Sequence, residues 1–209
     1  MNRREFFNLG LAPFLLSTSV TATNTISAPV ASMANQPAEP LSRLAKNGFL
    51  PNVPLVTHRN QNVRFYDDLV REKTVLINFF LIQCSEGRCP LAMANLRQVQ
   101  NMLGSRMGKD VFFLSITLQP LLNTPQALNK YAEIFKPKPG WDLLTGKPED
   151  VETLRRTLGF ADADPELDND LQNHTSLARY GNDKLERWGM VSLRSSPNNI
   201  ASTFKWLTV

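Results

Sequence analysis

Cysteine is scarce in this chain of 209 residues: there are only two. At most one disulfide is possible, so a scaffold held together by several bridges is excluded. Histidine is equally scarce, also with two, which leaves little material for a histidine-rich metal centre. Long apolar runs are missing as well. The stretch Leu9 to Leu16 is broken by Pro13 and is far short of the ~20 residues that span a bilayer. Charge of one sign is not in large excess. The formal net charge of +4 falls by one if Arg3, Arg4 and Glu5 are removed, so no polyanionic partner is implied and nucleic acid is not expected. There is no internal repeat and no low-complexity tract.

What is present is concentrated. Both cysteines lie in Cys84-Ser85-Glu86-Gly87-Arg88-Cys89-Pro90, directly after the apolar run Thr74 to Ile82. A buried strand followed by a helix would place both sulfurs at the strand's carboxyl end. A loop this short removes little unfolded-state entropy when closed, so the pair is read as redox or soft-metal chemistry before a structural staple. Cys89 is expected at the amino end of a helix, where the dipole and the adjacent Arg88 favour the thiolate while Glu86 opposes it.

The chain start points to a compartment. Arg3-Arg4 before Phe6-Phe7, the short apolar stretch and a Ser/Thr/Ala-rich run to Ala31-Ser32-Met33-Ala34 resemble a twin-arginine (Tat) export signal, cleaved after about Ala34. No cysteine stands near Ala34 to carry a lipid. The expectation is a signal over 1–34, a linker over 35–47, one domain over 48–209, and a periplasmic location, where disulfides persist and copper is handled.

The remaining segments order themselves around the cysteine turn. Residues 49–66 read as an extended hairpin turning at Arg59 to Asn62. Pro90 suits a first helical turn, with Leu91, Ala94, Leu96, Val99 and Leu103 as its apolar stripe and Gly104 as its stop. Asp110 to Leu118 repeats the buried-strand pattern, and Thr124 caps a helix whose core face is Leu128, Tyr131, Ala132 and Phe135. A strand at Trp141 to Leu144 precedes a helix from Pro148 to Leu158, stopped at Gly159. The acidic run Asp162 to Asp170 lacks the ligand spacing of a hard-cation loop and reads as solvated, a possible docking surface. A late hairpin turns at Gly181-Asn182-Asp183, and Pro197 to Leu207 closes the chain as a helix. The order predicts an α/β thioredoxin-like fold: a central mixed sheet flanked by helices, with an N-terminal β-hairpin and a late β-hairpin.

Taken together, Cys84…Cys89-Pro90, the Ser115-Ile116 strand ending in Gln119-Pro120 with Asn123-Thr124-Pro125 after it, Leu144 to Asp150, and His174 before the late hairpin resemble the Sco/SenC family over about residues 48–207. The resemblance implies a domain binding one copper through two cysteines and one histidine, which here would be Cys84, Cys89 and His174. It also implies a partner: a copper-containing respiratory or periplasmic enzyme such as cytochrome oxidase, met by a monomer that touches membrane only through that client. Three features depart from the family pattern. Four residues separate the cysteines instead of three, Gln119 stands where an acidic residue is usual, and a cleavable signal replaces the anchor of many members.

Two thiolates select Cu(I), and a neutral imidazole added to them also holds Cu(II). His58 is taken as a surface residue and a backup ligand, and Met93 as a helix-face methionine rather than a thioether ligand. Three functions compete. The first is a copper-binding chaperone or assembly factor in electron transport. The second is a thiol-disulfide oxidoreductase or thiol peroxidase with Cys84 attacking and Cys89 resolving, although its spacing differs from that of thioredoxin-type catalysts. The third is a non-catalytic redox-sensing domain.

Overall fold

A computed structural model describes residues 50–84, 87–174 and 176–207. The expected signal segment and linker lie outside those residues. In chain order the elements are β1 (Pro54–Thr57), β2 (Asn62–Arg64), β3 (Thr74–Phe80), α1 (Arg88–Leu103), β4 (Val111–Thr117), α2 (Pro125–Phe135), β5 (Trp141–Gly146), α3 (Pro148–Thr157), α4 (Pro165–Asn169), β6 (Leu177–Asn182), β7 (Arg187–Ser192) and α5 (Pro197–Ser202). Among the described residues no helix is long and apolar enough to cross a membrane.

One seven-stranded mixed sheet runs in the order β2-β1-β5-β4-β3-β6-β7. The crossover-linked strands β3, β4 and β5 are parallel. The two hairpins flank them, β1 antiparallel to β5 and β6 antiparallel to β3. This is the thioredoxin-like arrangement expected, with both hairpins in place. All seven residues of β3 are buried, as befits a central strand with helices on each face. Each large apolar side chain so buried contributes about 1.5–3 kcal/mol.

Several boundaries differ from the sequence reading, for identifiable reasons. Strand β3 stops at Phe80 rather than Ile82, because the amide of Leu81 leaves the ladder and donates to the Cys89 sulfur at 3.4 Å. Helix α1 begins two residues before Pro90. The proline sits in the first turn, where its missing N–H costs nothing. The buried face of α1 is Cys89, Ala92, Met93, Leu96, Val99 and Leu103, with Leu91 half exposed and Ala94 only partly covered. Cys89 and Met93 set the phase of the helix, so the apolar stripe lies one position away from the one expected at its start. Met93, read as a helix-face methionine in the core or at the surface, lies fully in the core. Gly181 lies within β6 rather than in the turn: a Cβ there would meet the Trp188 ring at 2.3 Å, so the cross-strand tryptophan requires the glycine. The closing helix ends at Ser202, and the chain continues in turns that bury Phe204 and Leu207.

The core centres on Trp141, fully buried on β5. Its indole N–H donates to Ser115 Oγ at 3.0 Å, and that hydroxyl donates to Asn78 Oδ1 at 2.8 Å. The three residues come from the three adjacent parallel strands β5, β4 and β3. A polar network therefore fixes their lateral register inside an otherwise apolar layer.

Candidate functional site

Because β6 is antiparallel to β3, the segment that leads into β6 meets the chain leaving β3 at the same end of the sheet. That places His174, three residues before β6, beside the cysteine turn. Cys89 Sγ and His174 Nε2 are 2.9 Å apart, although 85 positions separate them in sequence. The other ring nitrogen, Nδ1, lies 2.8 Å from the carbonyl of Leu171. A carbonyl only accepts, so Nδ1 carries the proton and Nε2 presents a lone pair to the sulfur. Burial keeps the imidazole pKa below its usual value, with Arg88 adding to the effect and the Leu171 bond opposing it. The ring is thus a neutral donor.

Cys89 is buried at the start of α1 and accepts from the Leu81 amide. Here the sequence expectation is corrected. Burial, reinforced by the neighbouring Cys84 sulfur, pushes the Cys89 thiol up to about 12, outweighing the Leu81 amide and Arg88. The metal-free residue is therefore a thiol, and its S–H is placed to donate to His174 Nε2. Cys84 is half-buried, and the two sulfurs are not joined in a disulfide. Its sulfur interacts with that of Cys89. Among the described residues no three His, Cys, Asp or Glu side chains are gathered into a ready-made metal cage. Cys89 and His174 are brought into direct contact by the fold.

Gly87 caps α1 with φ of 66°, and a Cβ there would meet nothing within 4 Å. The Gly87 amide donates to the Cys84 carbonyl at 3.3 Å, and glycine takes this left-handed conformation at little cost.

His58 is not a surface residue and is not near this site. It is buried beside β5, where its Nδ1 accepts from the Leu143 amide at 3.2 Å and its own amide donates to the Leu143 carbonyl. It extends the β1–β5 pairing. The run Asp162 to Asp170 is likewise not simply a solvated loop. Asp168 is a partly exposed residue whose side chain is largely covered and takes a fork from Arg155. Sequence reading missed this pair, although the Glu152, Arg155 and Arg156 spacing marked a charged face on α3.

Tyr131 of α2 was read only as core. It stacks on Phe80 at 5.5 Å, and its buried hydroxyl has no hydrogen-bond partner. Burial first, then the charges of Cys89 and Cys84, hold its phenol well above the usual range. It forms the wall of an open groove with Ile82, Gln83 and Leu122 on the cysteine side of the molecule.

Comparison with known proteins bears on the family and the fold. A family profile described as SCO1/SenC matches residues 51–208. No curated protein sequence matches the chain. Among solved structures, that of Bradyrhizobium japonicum ScoI with copper bound is 21% identical, covers 76% of this chain and 99% of its own, and superposes with a TM-score of 0.60. Yeast Sco1 with copper bound is 18% identical over 74% of this chain and 90% of its own, with a TM-score of 0.56. A SCO1/SenC family lipoprotein from Bacillus anthracis is 20% identical over 76% and 94%, with a TM-score of 0.61. At these identities the solved structures establish the fold, while the profile spans three quarters of the chain. With its cysteine turn, its late histidine and nearly all of its described domain inside the matched span, the chain belongs to the SCO1/SenC family.

Proposed function

We propose that this protein is a copper-binding SCO1/SenC protein that takes one copper ion through Cys84, Cys89 and His174 and supplies it to, or reduces, the copper site of an enzyme such as cytochrome oxidase. The observation that carries the reading is the 2.9 Å approach of Cys89 Sγ to His174 Nε2, with Cys84 beside them. Two sulfurs and one neutral imidazole are a soft donor set suited to Cu(I) and, through the nitrogen, to Cu(II). The residues present fit the metal. The Leu81 amide and the Leu171 carbonyl hold one sulfur and the imidazole in place, and binding would take the proton that Cys89 now shares with His174.

Thiol protection tests the shared site. One equivalent of Cu(I) should shield both cysteines from alkylation, and an oxidant should release the copper. In that reaction the two copper-bound thiolates, their protons already lost on binding, give two electrons to the oxidant and form one disulfide, whose sulfurs are no longer thiolate ligands, and the Cu(I) ion leaves. Equal alkylation rates with and without Cu(I) would defeat the reading. The second reading, a thiol-disulfide oxidoreductase or thiol peroxidase, has its own support in the more exposed Cys84 and the buried Cys89, the arrangement of an attacking and a resolving sulfur. Peroxide turnover without copper binding would favour it. A redox-sensing domain would show neither.

The same reading includes delivery to the periplasm as a monomer, with Arg3 and Arg4 directing export through the Tat route and cleavage near Ala34. Arg3→Lys with Arg4→Lys should leave precursor in the cytoplasm. Normal processing and export of that double variant, followed by fractionation and immunoblotting, would point to the general secretory route.

A further inference from the structure

Residues 160–174 carry His174 across the end of the sheet with little regular structure to hold them: five residues of α4 and a single tight turn at Leu171–Asn173. A segment so short in hydrogen-bonded structure does not fix an imbued position on its own. Besides the packing of Phe160 and Leu171 with the core, what fixes it is charge. The Asp168 carboxylate accepts from both terminal nitrogens of Arg155, at 2.5 and 2.7 Å, from Arg156 at 3.1 Å and from the Asp162 amide at 2.7 Å. Arg155 and Asp168 side chains are only 10% and 5% exposed, so this fork is shielded from solvent and salt. Arg155 also donates to the Phe160 carbonyl and to both oxygens of Glu152. It is thereby anchored within α3, which is itself seated by Val151 and Leu154.

The anchor is placed to act on the histidine. Asp168, Leu171 and His174 follow at intervals of three residues, and Leu171 supplies the carbonyl that receives the imidazole Nδ1–H. On the far side, Arg88, next to Cys89, donates to the Gln172 carbonyl at 2.8 Å. The turn that presents His174 is thus held from α3 at one end and from the cysteine-bearing helix at the other.

We infer that the Arg155–Asp168 ion pair is a positioning clamp that holds the Leu171–His174 turn so that the imidazole meets Cys89, and that it thereby sets the Cu(II) form of the site while leaving the Cu(I) form to the sulfurs. This rests on the copper reading above. The sulfurs sit at the end of β3 and on α1 and do not depend on the clamp. Loss of a supporting partner of a metal ligand typically costs about 10–100-fold in affinity, and here that loss should fall on Cu(II) alone.

Arg155→Met removes the fork, and Arg155→Lys retains the charge without the two-pronged geometry. Both should lower Cu(II) affinity by about 10–100-fold and alter the thiolate-to-Cu(II) absorption, with Cu(I) affinity unchanged. Arg156→Ala, at an exposed position with the longer contact, should change neither. In the metal-free protein, nitrogen-15 NMR of His174 should show the Nδ1–H tautomer in the parent and in Arg156→Ala, and a mixture of tautomers in the two Arg155 variants. Cu(II) binding and a tautomer both unaltered in a folded Arg155 variant would overturn the clamp. So would parallel loss of Cu(I) and Cu(II) binding together with melting temperature, which marks a purely structural pair. If Arg155→Met does not fold, Arg155→Lys decides by the same measurements. A parent protein that binds no copper would sink the copper reading, and the tautomer comparison would then decide the clamp by itself.

Discussion

Serine in place of either cysteine is expected to abolish tight Cu(I) binding, with a loss larger than the roughly 10–100-fold that follows removal of a mere supporting partner of a ligand. Cu(I) is satisfied by two thiolates. One thiolate and an imidazole make a poor site for it, and a hydroxyl is no substitute for a soft sulfur. Cys89→Ser should nevertheless fold. The hydroxyl is close in size to the thiol it replaces and can still donate to His174 Nε2, so the partly buried histidine keeps its partner. His174→Ala should behave differently, reducing Cu(II) binding far more than Cu(I) binding, since two-coordinate Cu(I) does not need the nitrogen. Competition titrations with a Cu(I) chelator, alongside Cu(II) spectra, check all three variants. Unchanged Cu(II) binding and spectrum in His174→Ala would remove that residue from the site, and retention of tight Cu(I) binding in Cys84→Ser would remove the other end.

The largest effect on stability is expected at Trp141. Truncation to alanine empties the centre of the sheet, where the indole lies edge-on to Phe113 at 5.9 Å. The variant also strips Ser115 Oγ of its indole donor. Removing a large buried aromatic side chain costs about 3–5 kcal/mol, which for a domain of this size lowers the melting temperature by roughly 10 °C. Urea unfolding should show the midpoint falling at an unchanged slope. Trp141→Phe should recover much of the loss, because a single ring refills most of the space and leaves a smaller cavity together with the unmade hydrogen bond to Ser115. A cost below about 1 kcal/mol for the alanine variant would mean that the site collapses around the missing ring.

The parts of the molecule legible in sequence are those whose physics is local. Thr74 to Phe80 and Val111 to Thr117 are apolar on both faces, and only a central strand has use for that. Thr124 before Pro125 caps a helix in sequence and does so in the structure, where its hydroxyl accepts from Ala127. The freedom of Gly87 to adopt positive φ could be argued before any coordinates existed. What escaped were balances settled by distant residues. Whether Cys89 is a thiolate depends on how deeply it is buried, and helix-end position and Arg88 pointed the other way. Whether Asp168 is solvated depends on Arg155, thirteen positions earlier and on another helix. His58 looked like a surface residue because its partner, the Leu143 backbone, belongs to a strand 85 residues on. Leu91 falls in the core only if the stripe is counted from the leucines, whereas Cys89 and Met93 determine which side of α1 faces inward.

The antiparallel seating of β6 against β3 also bears on timing. A chain synthesised from its amino end presents both sulfurs about 85 residues before the imidazole exists. Until β6 arrives, one edge of β3 has no strand to pair with, on the most apolar strand of the sheet. Closing so long a loop is among the slower events available to a small domain. The exposed edge of an apolar strand is, in the interval, a surface on which chains aggregate. A newly made molecule therefore passes through a period in which its thiols are present but its histidine is not, and any metal or oxidant met then encounters a different chemistry from that of the finished fold.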